Sequence, residues 1–166
     1  MKNNKAAGVD GIVAEMIKYG EEALDNAMIN EHKKIWTSEE MPSEWEEGIY
    51  LPLYKKNDKH ACMNYRGLCL LNIGYKILAC ILCHRFQPYY ERIVGDYQAG
   101  FMPGRSTTDN IFIVRQVCEK YREYDRTAWH VFVDYRQAYD SAYRPSLWAI
   151  LRQFNVPGKL IRLIKA

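Results

Sequence analysis

Residues 129–135 read WHVFVDY, and no other stretch limits the possible folds as tightly. Its alternation and its valines are those of a strand entering a core. An apolar strand that ends in Asp134 and turns within a few residues sets a carboxylate at a sheet edge facing solvent. There the carboxylate either caps the turn or helix that follows or holds a divalent cation. Mg²⁺ takes one or two carboxylates and completes its shell with water and phosphate oxygens. Spacing alone leaves both roles open.

The rest of the chain supplies what such a strand would pack against. After the turn Ala7-Gly8-Val9-Asp10-Gly11-Ile12, a short helix carries Ile12, Val13, Met16 and Ile17 on one face. A second helix is predicted over 21–36, with Leu24, Met28 and Ile35 near the helical repeat, and Met41-Pro42-Ser43 closes it. Residues 48–54 (GIYLPLY) predict a strand in which Pro52 marks an edge or a bulge. A polar tip over 55–64 leads to a returning strand over 65–72.

Residues 73–85 predict a helix with Ile77, Leu78, Ile81, Leu82 and Phe86 as its apolar stripe. A Gly-rich loop over 98–105 leads to Ser106, an N-cap with Asp109 three residues on. The helix from Thr107 to about Arg126 is expected to bury Ile111, Val114, Cys118 and Tyr121. Pro145 suits the first turn of a helix bearing Leu147, Trp148 and Leu151. Val156-Pro157-Gly158 ends it, and the last amphipathic segment carries no stop signal, as in a chain cut within a domain. The pattern is α+β with helices dominating. With no repeat or low-complexity tract, 166 residues at 48% hydrophobic content read as one continuous unit with a real core.

Composition narrows the function classes. A net charge of +3 is too mild to announce nucleic-acid binding by itself. No apolar run is long enough to span a bilayer, and residues 1–5 do not open a signal peptide. The five cysteines, 62, 69, 80, 83 and 118, read as free thiols of a reducing compartment, nucleus or cytoplasm. Cys80-Ile81-Leu82-Cys83-His84 fits the haem-attachment pattern, and Cys62 could join it as a zinc set. Its place in an apolar helical stripe reads instead as packing thiols.

Four blocks in order carry a resemblance. They are residues 51–58 (LPLYKKND) with 64–71 (NYRGLCLL), 98–107 (QAGFMPGRST), and 132–141 (FVDYRQAYDS), preceded by GVDGI and the Trp36, Pro42 and Trp45 spacing. Together they resemble the fingers and first catalytic motif of reverse transcriptases of the non-LTR, LINE type. The resemblance covers nearly the whole chain. It implies an incomplete right-hand polymerase fold: helix-rich fingers and connecting helices over about 1–125, and the first palm strand and helix over about 126–166.

By the same resemblance Asp134 binds both metal ions of a two-metal nucleotidyl transfer, with the Tyr135 carbonyl a further ligand. Tyr139 lies beneath the sugar of the incoming nucleotide and selects deoxynucleotides; a half-buried core aromatic is the plainer reading. Lys55 or Lys56, with Arg66, grips the triphosphate, whereas a run such as KKNDK is otherwise a solvated tip. Gly100, Pro103, Gly104 and Arg105 form the template-binding loop, whose glycines allow close approach to phosphates. The cofactor implied is Mg²⁺, two ions in the complete enzyme. The partners implied are an RNA template, a DNA primer and deoxynucleoside triphosphates, with no membrane; oligomeric state is not implied.

The sequence also departs from the family pattern. Met102 replaces a common Arg, Ala142 and Tyr143 follow Asp140-Ser141, and the later S-x-x-Q-G and A-D-D blocks are missing. One carboxylate cannot hold two Mg²⁺ ions about 4 Å apart. The chain alone is therefore expected not to polymerise DNA. A non-catalytic nucleic-acid-binding remnant or domesticated module is the alternative, and a relic in which only packing survives is a third.

Overall fold

The computed structural model describes residues 1–135 and 138–166; Arg136 and Gln137, inside the FVDYRQAYDS block, lie outside the described residues. The chain divides into two compact units, Met1–Phe86 with Val156–Ala166, and Gln87–Asn155.

The first unit contains α1 (Ala14–Lys18), α2 (Glu22–Ser38), β1 (Ile49–Tyr54) and β2 (Tyr65–Leu70). It also holds the first part of α3 (Ile73–Ile93), and α6 (Gly158–Lys165). Its core is built from Ile35, Ile73, Leu78, Leu160, Ile161 and Leu163. On α3 the predicted stripe is turned inward at Leu78 and Leu82. Two buried polar residues, His32 and Asn72, join the elements. The His32 ring spans two carbonyl oxygens, with Nδ1 2.6 Å from Met28 and Nε2 3.1 Å from Gly74. Its N–H therefore has an acceptor in either tautomer. Asn72 Nδ2 donates to the Glu44 carbonyl at 2.7 Å, and its Oδ1 accepts from the Asp10 N–H at 3.5 Å.

The C-terminus of α2 is tied to α6. Glu39 caps α2 in the left-handed region at φ 63° and donates its N–H to the Ile35 carbonyl. Its carboxylate accepts from Arg162 Nε at 2.5 Å and from Nη2 at 2.9 Å. One turn earlier, the Trp36 ring meets two cations, the Arg85 guanidinium 4.2 Å and the Lys159 ammonium 5.2 Å from its centre. The sequence reading missed these partners, because charges far apart in sequence carry no mark of whom they meet.

β1 and β2 pair antiparallel, Ile49 opposite Leu70 through Tyr54 opposite Tyr65. Both are edge strands, as Pro52 requires, and it faces Gly67. A two-stranded hairpin is marginal in water without a covered face.

The second unit contains the end of α3, α4 (Thr107–Glu123) and α5 (Arg144–Gln153). Ser106 caps α4 as expected, its Oγ accepting from the Thr108 N–H at 3.1 Å. Pro145 lies in the first turn of α5. Three expectations fail here. Residues 129–135 form no strand: they have no ladder partner, and Trp129, Val131 and Phe132 are 91%, 88% and 83% exposed. A strand is half of a hydrogen-bonded pair, and the only described sheet is β1–β2. The expected burial of Ile111, Val114, Cys118 and Tyr121 is not found, since α4 buries no residue. An amphipathic stripe is buried only where a second apolar surface meets it. The cysteines, expected to include packing thiols, are all exposed and free.

Candidate nucleic-acid and nucleotide site

The candidate residues fall on both units. Lys55, Lys56 and Arg66 belong to the β1–β2 hairpin, and all three are exposed. Arg66 sits opposite Leu53 in the ladder, one step from the tip. The tip folds through local bonds. Lys55 N–H donates to the Asn64 carbonyl at 2.9 Å, Asn64 Nδ2 to the Asp58 carbonyl at 2.7 Å, and Tyr65 Oη to the Lys59 carbonyl at 2.8 Å. The Tyr54 hydroxyl donates to the Asn57 carbonyl. Among the described residues Lys55, Lys56 and Arg66 make no ion pair. Three cations thus stand exposed at a locally hydrogen-bonded tip, an arrangement that favours anionic ligands.

The second unit carries the loop and the motif residues. In the loop, Phe101 (φ 61°) and Gly104 (φ 71°) adopt left-handed backbone, and Ala99 is the buried residue. Arg105 does not reach outward. Its Nη1 donates to the Gly95 carbonyl at 2.7 Å and to the Gln98 carbonyl at 2.9 Å, and its Nη2 to the Asp96 carboxylate at 3.1 Å. The planar fork closes the loop on itself. Gly100 is half-buried, and Pro103 and Gly104 are exposed.

Tyr139 is 78% exposed, so it is not a core ring, and it meets Phe101 edge-to-face at 6.5 Å and 79°. That contact brings the predicted sugar-facing tyrosine to the predicted template loop. Sequence reasoning had not singled out Phe101, although an exposed aromatic in a Gly-rich turn is a usable signal. Asp134 and Tyr135 are exposed. Nearby, Cys118 Sγ and His130 Nε2 share a hydrogen bond at 3.4 Å.

Asp134 and the Tyr135 carbonyl supply one carboxylate and one neutral oxygen. Among the described residues no three His, Cys, Asp or Glu side chains are grouped to hold a metal ion. This donor set does not fit a two-ion centre by itself, which needs further carboxylates.

Residues 54–166 match the family described as Reverse transcriptase (RNA-dependent DNA polymerase). The match runs from the hairpin tip through α6 and includes the loop and Asp134. The chain belongs to the reverse transcriptase family. This reverse transcriptase chain is 23% identical over 165 residues to the Transposon TX1 uncharacterized 149 kDa protein of Xenopus laevis, covering 99% of the chain and 13% of that protein. It is 32% identical over 111 residues to the Retrovirus-related Pol polyprotein from type-1 retrotransposable element R1 of Bradysia coprophila, covering 65% of the chain and 11% of the relative. It is 28% identical over 111 residues to the Putative 115 kDa protein in type-1 retrotransposable element R1DM of Drosophila melanogaster, covering 66% and 11%. The chain thus spans between 11% and 13% of the length of these curated relatives. Among the described residues no helix is long and apolar enough to cross a membrane.

Proposed function

We propose that the chain is part of an RNA-directed DNA polymerase of a non-LTR, LINE-type retrotransposon, acting inside the cell, in nucleus or cytoplasm. Residues 1–125 correspond to fingers and connecting helices, and 126–166 to the start of the palm. Asp134 is the first metal-binding carboxylate, with the Tyr135 carbonyl beside it, for the Mg²⁺ ions that family members use. Tyr139 lies under the sugar of the incoming deoxynucleotide. Lys55 or Lys56, with Arg66, holds its triphosphate, since Arg offers a planar fork and Lys a mobile point charge. Gly100, Pro103 and Gly104 present loop backbone to the RNA template, and Arg105 gives that loop its shape.

The observation that carries this reading is the Phe101–Tyr139 contact, which joins two blocks that template and nucleotide would both have to meet. The test is primer extension on an RNA template with Mg²⁺ and deoxynucleotides. The 166-residue chain alone is expected to give no product, because the remaining carboxylates are not among its residues; template-dependent product would overturn this. A second reading, a non-catalytic nucleic-acid-binding module, draws on the incomplete donor set. RNA binding that weakens steeply with salt, in a longer polypeptide that still does not extend primers, would favour it.

A further inference from the structure

The two faces of the β1–β2 hairpin differ in chemistry. Ile49 with Leu70, Leu51 with Leu68 and Leu53 with Arg66 make one face aliphatic until the tip. The other face pairs Tyr50 with Cys69, Pro52 with Gly67 and Tyr54 with Tyr65. Tyr50 is 69% exposed, yet its ring has a seat. It leans diagonally over Gly67, so that a Cβ built there would lie 1.5 Å from the Tyr50 hydroxyl oxygen and 2.5 Å from Cε2. Glycine lets the ring lie down on β2, one side against backbone and the other in solvent.

Tyr54 and Tyr65 are committed to the tip through their hydroxyls, and the Lys59 ammonium stands 5.7 Å from the centre of the Tyr54 ring. Between residues 55 and 66 four cations, Lys55, Lys56, Lys59 and Arg66, face the single carboxylate of Asp58. Four strand residues, about 13 Å, separate Tyr50 from Tyr54 at the tip's edge. Unpaired bases stack on aromatic faces while neighbouring cations follow the phosphates; a duplex keeps its bases stacked within itself.

We propose that Tyr50, seated on Gly67 with Pro52 beside it, is a stacking platform for an unpaired base of an RNA strand whose phosphates run over Lys59 at the tip. This rests on the chain being part of an RNA-copying enzyme, and it assigns the hairpin's aromatic face to the strand.

The experiment measures binding of a fluorescein-labelled 12-nucleotide single-stranded RNA, and of the same sequence as a duplex, to the 166-residue chain over a range of salt. Tyr50→Ala is expected to weaken single-strand binding about tenfold and leave duplex binding unchanged. The three atoms nearest a Cβ at Gly67 all belong to the end of the Tyr50 ring, so Gly67→Ala is expected to keep the hairpin, tip the ring up and lower single-strand binding in the same way. Tyr50→Trp keeps the platform and the affinity. None of these changes alters the slope of log K against log salt. Lys59→Ala lowers that slope by about 0.7. Parent-like single-strand binding by Tyr50→Ala and Gly67→Ala, or equal loss on single strand and duplex, overturns the platform alone. A parent chain that binds neither RNA overturns the proposed function as well.

Discussion

Arg105 and Glu39 illustrate how one side chain sets a local conformation that the sequence does not announce. Arg105 has the residue type and position of a phosphate ligand, yet its fork is engaged with the Gly95 and Gln98 carbonyls and with Asp96. Main-chain acceptors carry no residue identity, so nothing in the sequence marks them. Arg105→Ala is expected to loosen residues 98–105 toward protease. The salt slope of RNA binding should stay within a few tenths of the parent value, where loss of a phosphate contact would lower it by about 1. At Glu39, the hydrogen bonds from Arg162, and then its charge, lower the carboxyl pKa below the ordinary value of 4.5. A depressed carboxyl stabilises the folded chain above the unfolded value, and that contribution is lost as pH falls through the lower folded value. Glu39→Gln is therefore expected to destabilise the chain at pH 7 and to flatten the fall in Tm between pH 5 and 3. An unchanged acid limb would show that the pair contributes nothing to stability.

At the scale of elements, what was legible in the sequence was local. Periodicity and caps place α2, α3, α4 and α5 within a few residues, except that α3 runs on through Pro88 to Ile93. Its polar tip and Pro52 give away the hairpin. Burial was less legible, because it depends on a second surface. Residues 129–135 have a strand's alternation and no ladder partner among the described residues, and the apolar stripe of α4 stays exposed. α4 is held by its Ser106 cap, worth about 1 kcal/mol, and by surface ion pairs such as Arg115–Glu119, in which the hydrogen bond from Arg115, and then its charge, lowers the Glu119 carboxyl. Tyr139 and Phe101 belong to blocks the sequence identifies, but their contact is a product of the fold. Leu163 and Val131 separate packing from pattern. Leu163→Ala, at 1% exposure, is expected to cost about 2–5 kcal/mol in denaturant unfolding. Val131→Ala, at 88% exposure, should stay within about 0.5 kcal/mol. Equal losses at the two positions would mean that residues 129–135 are packed after all.

For the whole molecule, the proposed metal-binding carboxylate, Asp134, has no cluster of further ligands around it among the described residues. The chain matches its family over 54–166 and spans 11% to 13% of its relatives' length. Its exposed residues 129–135, the exposed stripe of α4 and the two-sided hairpin are surfaces of the kind that polypeptide and nucleic acid cover. Joining this chain to the remaining polypeptide of the R1 relative of Bradysia coprophila, of which it covers 11%, tests whether further carboxylates complete the centre. Mg²⁺-dependent primer extension on an RNA template by that chimera, with Asp134 intact or replaced in Asp134→Asn, is the most direct measurement. Product from the Asp134 chimera, none above about a thousandth of its rate from Asp134→Asn with RNA binding retained, is the predicted result; extension by the Asn variant at the parent rate would contradict the account.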